Sequence, residues 1–271
     1  MYELIEQSAS YLLSKISGNY TYGVVLGSGL GNFTEQLTVH HTIPYNEIPG
    51  FPVSTVEGHK GALIFGELAG KRVVCMSGRF HFYEGYSMKE VTLPIRVMKA
   101  IGVETVLISN ASGGVNANFE VGDLMILTDH IYLQPEHPLR GKNDERLGVR
   151  FPNMAEAYNK KLVEKGLAIA KANNIRCHTG VYVGVQGPTF ETPAEYKLYH
   201  IMGGDAVGMS TTPEVVVARH AGMEVFAISV ISDIGYPFDK ADHVSHAFVL
   251  EKAAEAEPKM TKVIVELLKA L

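Results

Sequence analysis

Tyr22-Gly23-Val24-Val25-Leu26-Gly27-Ser28-Gly29-Leu30-Gly31 decides how the rest of the chain is read. Its first half is a short apolar run of the kind that forms a buried strand, and its second half is a glycine-rich turn. A strand running straight into such a turn opens an α/β unit, where ligands bind beyond the carboxyl ends of the strands. Glycines let the backbone approach an anion closely and aim N–H groups at it; Ser28 adds a hydroxyl donor. The spacing is not the dinucleotide fingerprint, which needs G-x-G-x-x-G and an acidic residue about 20 positions on. Nor does a Gly-Lys-Ser/Thr follow, as a Walker loop requires. Alone, the segment is either an anion site or an ordinary tight turn.

Upstream, residues 1–16 place Ile5, Ala9, Leu12, Leu13 and Ile16 on one helical face, and Gly18-Asn19 ends that helix. Downstream come further strand-like runs: Ala62 to Phe65, Arg72 to Met76, Thr105 to Ile108, Asp123 to Leu127, Thr179 to Val185, Ala206 to Met209 and Glu224 to Val230. Helical patterns lie between several of them: Met88 to Ile101, Ala155 to Asn173, Pro193 to Met202 and Pro213 to Ala221. A last one, Ser245 to Leu271, is expected to break at Pro258. Phe65 to Arg72 is too short for a crossover helix and reads as a hairpin through Gly66 and Gly70. The expected fold is a single α/β domain over residues 1–271, with a mixed, largely parallel central sheet flanked by helices.

The 271 residues carry 24 Lys and Arg against 29 Asp and Glu. A mildly acidic chain without charge runs is a poor match for nucleic acid, which needs a concentrated basic face. If the ligand is anionic, the charge that attracts it must be local. Cys75 and Cys177 do not make a disulfide framework. No apolar stretch reaches the roughly 18–20 residues of a membrane span. The first residues include Glu3 and Glu6 and lack the basic start of a signal peptide, so cytoplasm is the expected compartment and no membrane partner is expected.

Polar residues gather after the apolar runs. Ser77 to Tyr86 contains Arg79, His81 and Tyr83, which would point one way in an extended chain. Arg79 offers a planar, permanently charged fork that suits phosphate. Ser109-Asn110-Ala111-Ser112-Gly113-Gly114 leaves backbone N–H groups open to a ligand, or is a cap and turn. In Gln186 to Pro193, Thr192, Pro193 and Glu195 read as a helix start with a capping box. That leaves Phe190-Glu191 unexplained, an aromatic and a carboxylate able to stack on a flat ring and accept its N–H groups. Val207-Gly208-Met209-Ser210-Thr211 precedes another helix start, where Ser210 could cap or could help bind an anion. Ser229 to Asp233 is a strand ending on a carboxylate. His59 sits between glycines in a loop, and His243 with His246 lacks the carboxylate or Cys a metal site would add, so no metal is expected.

Taken in order, Val24 to Gly31, Gly58-His59, Gly78 to Tyr86, Asn110 to Gly114, Gly187 to Thr192, Val207 to Thr211 and Val244-Ser245-His246 resemble the trimeric purine nucleoside phosphorylases. Pro138 to Gly141 and Asn143 to Arg146 are similar too, so the likeness runs from about Gly23 to His246. The resemblance implies a phosphate site of Ser28, His59, Arg79, His81, Ser210 and the Ala111 N–H. It implies ribose contacts from Tyr83, Met209 and His246, with His243 a rival for the 5′-hydroxyl. It implies a base pocket of Asn110, Phe190, Glu191, Val207 and Asp233, and catalytic work for His81, Glu191 and Asp233. It further implies a homotrimer, with purine nucleoside and inorganic phosphate as substrates and no cofactor.

Two departures stand out. Asp233 falls where members acting on 6-oxopurines usually carry an Asn that bonds N7 and O6. Ionised Asp cannot donate, so it must be protonated or accept from a 6-amino group. Leu147 falls in Asp144 to Gly148, where related enzymes often have a Phe that enters the neighbouring subunit's ribose site, so the smaller Leu weakens the expectation of a shared site. Two rivals follow: a methylthioadenosine or adenosine-accepting phosphorylase of the same fold, favoured by Asp233, and a non-catalytic nucleotide-binding protein built on Gly27 to Gly31. The second leaves Arg79, His81 and Glu191 without a purpose.

Overall fold

The computed structural model describes residues 1–271 except 54, 56–59 and 242–243, together with the side chain of Lys240. The elements run α1 (Tyr2–Lys15), β1 (Tyr22–Val25), β2 (Thr38–Pro44), β3 (Ala62–Leu68), β4 (Lys71–Ser77), α2 (Met88–Val91), α3 (Leu93–Ala100), β5 (Thr105–Gly114) and β6 (Leu124–Tyr132). Then come α4 (Lys160–Ala172), β7 (Cys177–Gly184), α5 (Pro193–Ile201), β8 (Ala206–Gly208), α6 (Thr212–His220), β9 (Glu224–Ile234) and α7 (His246–Lys269).

The strands form one sheet in the order β2-β3-β4-β1-β5-β8-β7-β6-β9, and β5 pairs with β9 as well. That extra pairing closes β5, β8, β7, β6 and β9 into a ring, from which β1, β4, β3 and β2 extend as an open wing. The sheet is mixed: β1 lies parallel to β4 and β5, and β5 parallel to β9, while β3–β4, β5–β8 and β6–β9 are antiparallel. β1 is apolar on both faces because it is central, and Val24 and Val25 are fully buried. One group of helices packs α1 on α3 and α3 on α6; another packs α4 on α7 and α7 on β9.

Several expectations change. The β3–β4 hairpin turns at Ala69-Gly70, both with positive φ, whereas Gly66 lies within β3 opposite Val73. Met88 to Ile101 is two helices rather than one, divided at Thr92 just before Pro94, whose ring cannot continue a ladder. α7 runs on through Pro258. Pro258 and Ala254, the residue whose carbonyl loses its N–H partner, are both exposed, so water can take the carbonyl. Ser109 to Gly114 is not a turn: it continues β5, paired with β9 with one register shift between Ser112 and Gly113. β2 was not foreseen. Thr38 to His41 face solvent at the sheet edge and carry no apolar alternation.

Candidate active site

The strand ends of β1, β4, β5, β8 and β9 converge on a cavity of about 330 Å3. Ser28, Arg79, His81, Ala111 and Ser210 line it, as do Tyr83, Met209 and His246. So do Asn110, Phe190, Glu191, Val207 and Asp233. His59 and His243 lie outside the described residues.

On one side of the cavity the glycine-rich loop Gly27 to Gly31 rests on β5. A Cβ at Gly27 would sit 2.8 Å from the Asn110 Cα and 3.1 Å from the Ser109 carbonyl oxygen, so only glycine permits this approach. The Gly27 N–H donates to Ser109 Oγ (3.4 Å), which itself donates to the Val25 carbonyl (3.0 Å). Arg79 is 1% exposed. Its Nε and Nη2 donate to the two oxygens of Glu214 at 3.1 and 2.8 Å. Nη1 donates to the Ser109 carbonyl (2.6 Å) and to Ser210 Oγ (3.2 Å). The guanidinium is therefore less an open fork than a fixed positive charge that orients the Ser210 hydroxyl.

Ser210 does not cap α6. The N-cap is Thr211, whose φ of 67° lies where non-glycine residues are strained by roughly 1–3 kcal/mol. Glu214 holds it there: its Oε2 accepts the Thr211 N–H at 3.1 Å while also binding Arg79.

His81 begins a 3-10 turn, Phe82–Glu84, rather than continuing an extended chain. Its ring still stacks on Tyr83, with centroids 4.7 Å apart. Nδ1 lies 3.0 Å from Glu84 Oε1, which also accepts the His81 N–H at 2.8 Å. Burial lowers the His81 pKa. Burial opposes ionisation of Glu84, but hydrogen bonds from His81 and Thr55 prevail and hold its pKa at about 2. An ionised Glu84 beside a neutral imidazole places the His81 proton on Nδ1 and makes Nε2 the acceptor nitrogen.

The other side carries two carboxylates. Asp233 Oδ1 lies 2.7 Å from Ser232 Oγ, and a Cβ at Gly113 would sit 2.9 Å from Asp233 Oδ2. Burial lifts the Glu191 pKa to about 7; the charges of Asp233 and Glu195 add to this, while bonds from its own N–H and the Tyr196 hydroxyl oppose it. Asn110 is locked between neighbours, its Nδ2 donating to Thr211 Oγ1 (2.9 Å) and its Oδ1 accepting from Ser229 Oγ (2.7 Å). Phe190 stands at the rim, 40% exposed.

Glu84, Glu214, Thr211, Tyr196, Ser229 and Ser232 were not singled out from sequence as site residues. Three left a signal: His81-x-x-Glu84 and Thr211-x-x-Glu214 both have capping-box spacing, like Thr192-x-x-Glu195. Leu147 is part-buried against the core, whereas Phe151, four residues further on and outside Asp144 to Gly148, is 85% exposed. Among the described residues no helix is long and apolar enough to cross a membrane, and no three His, Cys, Asp or Glu gather as metal ligands would.

A strand-end cavity with anion donors on one side and carboxylates beside an aromatic on the other defines a protein that binds a phosphate and a flat, hydrogen-bonding ring together. Residues 21–269 match the phosphorylase superfamily model. Purine nucleoside phosphorylase 1 of Bacillus subtilis is 48% identical over 267 residues, 98% of each chain. The Geobacillus stearothermophilus protein of the same name is 55% identical over 230 residues, 85% of this chain and 84% of that one. A Schistosoma mansoni purine nucleoside phosphorylase in complex with adenosine superimposes with a TM-score of 0.94 at 42% identity, covering 99% of this chain and 97% of that one. The chain belongs to the phosphorylase superfamily and, within it, to the purine nucleoside phosphorylases.

Proposed function

We propose that the chain catalyses the reversible phosphorolysis of purine ribo- and 2′-deoxyribonucleosides, mainly those of 6-oxopurines such as inosine and guanosine, to free base and (deoxy)ribose 1-phosphate. The observation that carries this reading is one cavity holding both the Arg79–Ser210–His81 cluster and the Glu191–Asp233 pair. Inorganic phosphate is the co-substrate, and the chemistry requires no cofactor.

Cleavage passes through an oxocarbenium-like ribosyl cation, as glycoside cleavage generally does. Ser28, Ser210 and the Ala111 N–H hold phosphate in the field of Arg79, while His81 Nε2 accepts a hydrogen bond from the phosphate O–H and orients the nucleophile. Orientation of this kind supplies on the order of 7 kcal/mol or more of the barrier. Tyr83, Met209 and His246 bracket the ribose. Phe190 stacks on the purine, ionised Glu191 accepts N1–H, and Asp233 faces N7 and the 6-substituent. Stabilising charge on the departing base works as an oxyanion hole does.

Asp233 supports a second, slower activity on adenosine, because a carboxylate accepts from a 6-amino group. Incubation with inosine or adenosine, with and without phosphate, is expected to release hypoxanthine quickly and adenine slowly, each only with phosphate. Asp233→Asn is expected to lower the adenosine-to-inosine ratio of kcat/KM by about tenfold. An unchanged ratio removes Asp233 from base selection, and no release from either nucleoside overturns the reading. A chain with these substrates is expected to work in the cytoplasm.

We further propose a homotrimer in which Phe151, rather than Leu147, reaches the neighbouring ribose site. An aromatic 85% exposed beside the exposed Val149 is what an interface supplies. Sedimentation should give three chains per particle, and Phe151→Ala should raise KM for inosine by about tenfold. A monomeric, fully active enzyme would refute both points.

A further inference from the structure

The 3-10 turn Gly31–Gln36 follows the phosphate loop directly and starts with N–H groups that have no partner inside it. Leu30, its N-cap, has no side chain able to accept them. The acceptor comes from the far end of the chain. Glu257 Oε1, on α7, takes the Phe33 N–H at 2.5 Å, and the backbone and side chain of Asn32 bond the same carboxylate. Glu257 is 3% exposed. Burial raises its pKa and the charge of Glu35 adds to this, against the bonds from Phe33 and Asn32. A carboxylate taken out of water needs such donors to remain there.

Glu257 belongs to a row. His246, Leu250, Ala253 and Glu257 follow at steps of four, three and four, along one face of α7. His246 lines the cavity. Gly29 of the phosphate loop packs on the middle of the row: a Cβ there would sit 2.8 Å from Ala253 Cβ and 3.0 Å from the Leu250 carbonyl oxygen. Its φ of +75° also favours glycine. One helix face thus carries a ribose-site residue at its first turn, abuts the phosphate loop in its second and third, and caps the turn after that loop in its fourth.

We propose that Glu257 is a positioning residue for phosphorolysis: by capping the turn behind the phosphate loop from the helix that begins at His246, it fixes the loop relative to the ribose end of the cavity. This rests on the functional reading above. Glu257 touches no substrate and acts through Asn32, Phe33 and the loop they follow. Lost capping lets Gly27 to Gly31 shift against α7, so phosphate suffers before the nucleoside does.

The test is the kinetics of Glu257→Leu, Glu257→Asp and Glu257→Gln with inosine and phosphate, beside the thermal midpoint of each. Glu257→Leu should raise KM for phosphate by about tenfold, with KM for inosine at saturating phosphate within about twofold. Glu257→Asp, which keeps the charge but shortens the reach, should raise it less, by about threefold, and is read in place of Leu if that variant does not fold. Glu257→Gln keeps one acceptor oxygen at the same reach but loses the other, and should fall between wild type and Leu, at about threefold. Midpoints that fall in folded Leu and Asp variants with KM for phosphate unchanged would overturn the proposal, as would a Gln variant as impaired as Leu. Wild-type enzyme without phosphate-dependent base release would instead overturn the functional reading itself.

Discussion

Glu214→Gln is expected to destabilise the protein by about 3–5 kcal/mol and to abolish most of its phosphorolytic activity. The substitution barely changes shape, so the effect is electrostatic. Arg79 and Glu214 are 1% and 2% exposed and joined by two hydrogen bonds. Removing the carboxylate leaves a guanidinium out of water without its counter-charge. It also turns an amide N–H toward donors, because Glu214 Oε2 accepts from both Arg79 and the Thr211 N–H. Thr211 would lose what holds its left-handed backbone, and Asn110, which donates to Thr211 Oγ1, would lose its anchor. Chemical denaturation measures the first effect, and KM for phosphate the second. A variant within about 1 kcal/mol of wild type would mean that the pair is not the structural pivot described here.

The preference between inosine and adenosine is expected to shift with pH by about tenfold per unit, in favour of adenosine as pH falls. A 6-oxopurine offers N1–H as a donor and needs Glu191 ionised; adenine offers N1 as an acceptor and needs Glu191 protonated. Burial puts the Glu191 pKa at about 7. As pH falls below that value the ionised fraction drops about tenfold per unit, and as pH rises above it the protonated fraction does the same. The adenosine-to-inosine ratio of kcat/KM should therefore climb as pH falls through 7. Taking the ratio cancels titrations common to both reactions, those of phosphate and His81 included. Glu191→Gln should cost about tenfold to a hundredfold on inosine and flatten the ratio against pH. A pH-independent ratio in the wild-type enzyme would take Glu191 out of base selection.

The legible parts of this chain were those with a local cause. The run Tyr22 to Leu26 reads as a buried strand because its apolar residues are contiguous, and the glycines after it announce a close approach that Gly27 makes on Asn110. Thr192 with Glu195 reads as a helix start because the reciprocal bonds lie within three residues. The closure of β5 onto β9 was not legible, because it depends on register between segments more than a hundred residues apart. Arg79 looked like an open phosphate ligand because its partner, Glu214, lies 135 residues away. Leu147 and Phe151 lie four residues apart and differ in burial, which is a tertiary property that the sequence does not display.

The closed ring has a consequence for how the enzyme breathes. β5 is hydrogen-bonded to β9 from Thr105 to Gly114, and on its other edge to β1 over Thr105–Ile108 and to β8 at Gly113-Gly114, so that only the edge of Ser109–Ser112 is left to the cavity. Amides so enclosed exchange with solvent only when the domain opens as a whole, whereas irregular stretches open far more cheaply. Asn110, Ala111 and Asp233 sit on these strands, while Phe190 and Glu191 sit in the irregular stretch ahead of α5. In deuterium labelling the floor of the cavity should be the last part of the molecule to take up label, and its Phe190 rim among the first. Substrate then enters and product leaves past a yielding wall, over a floor as durable as the fold itself.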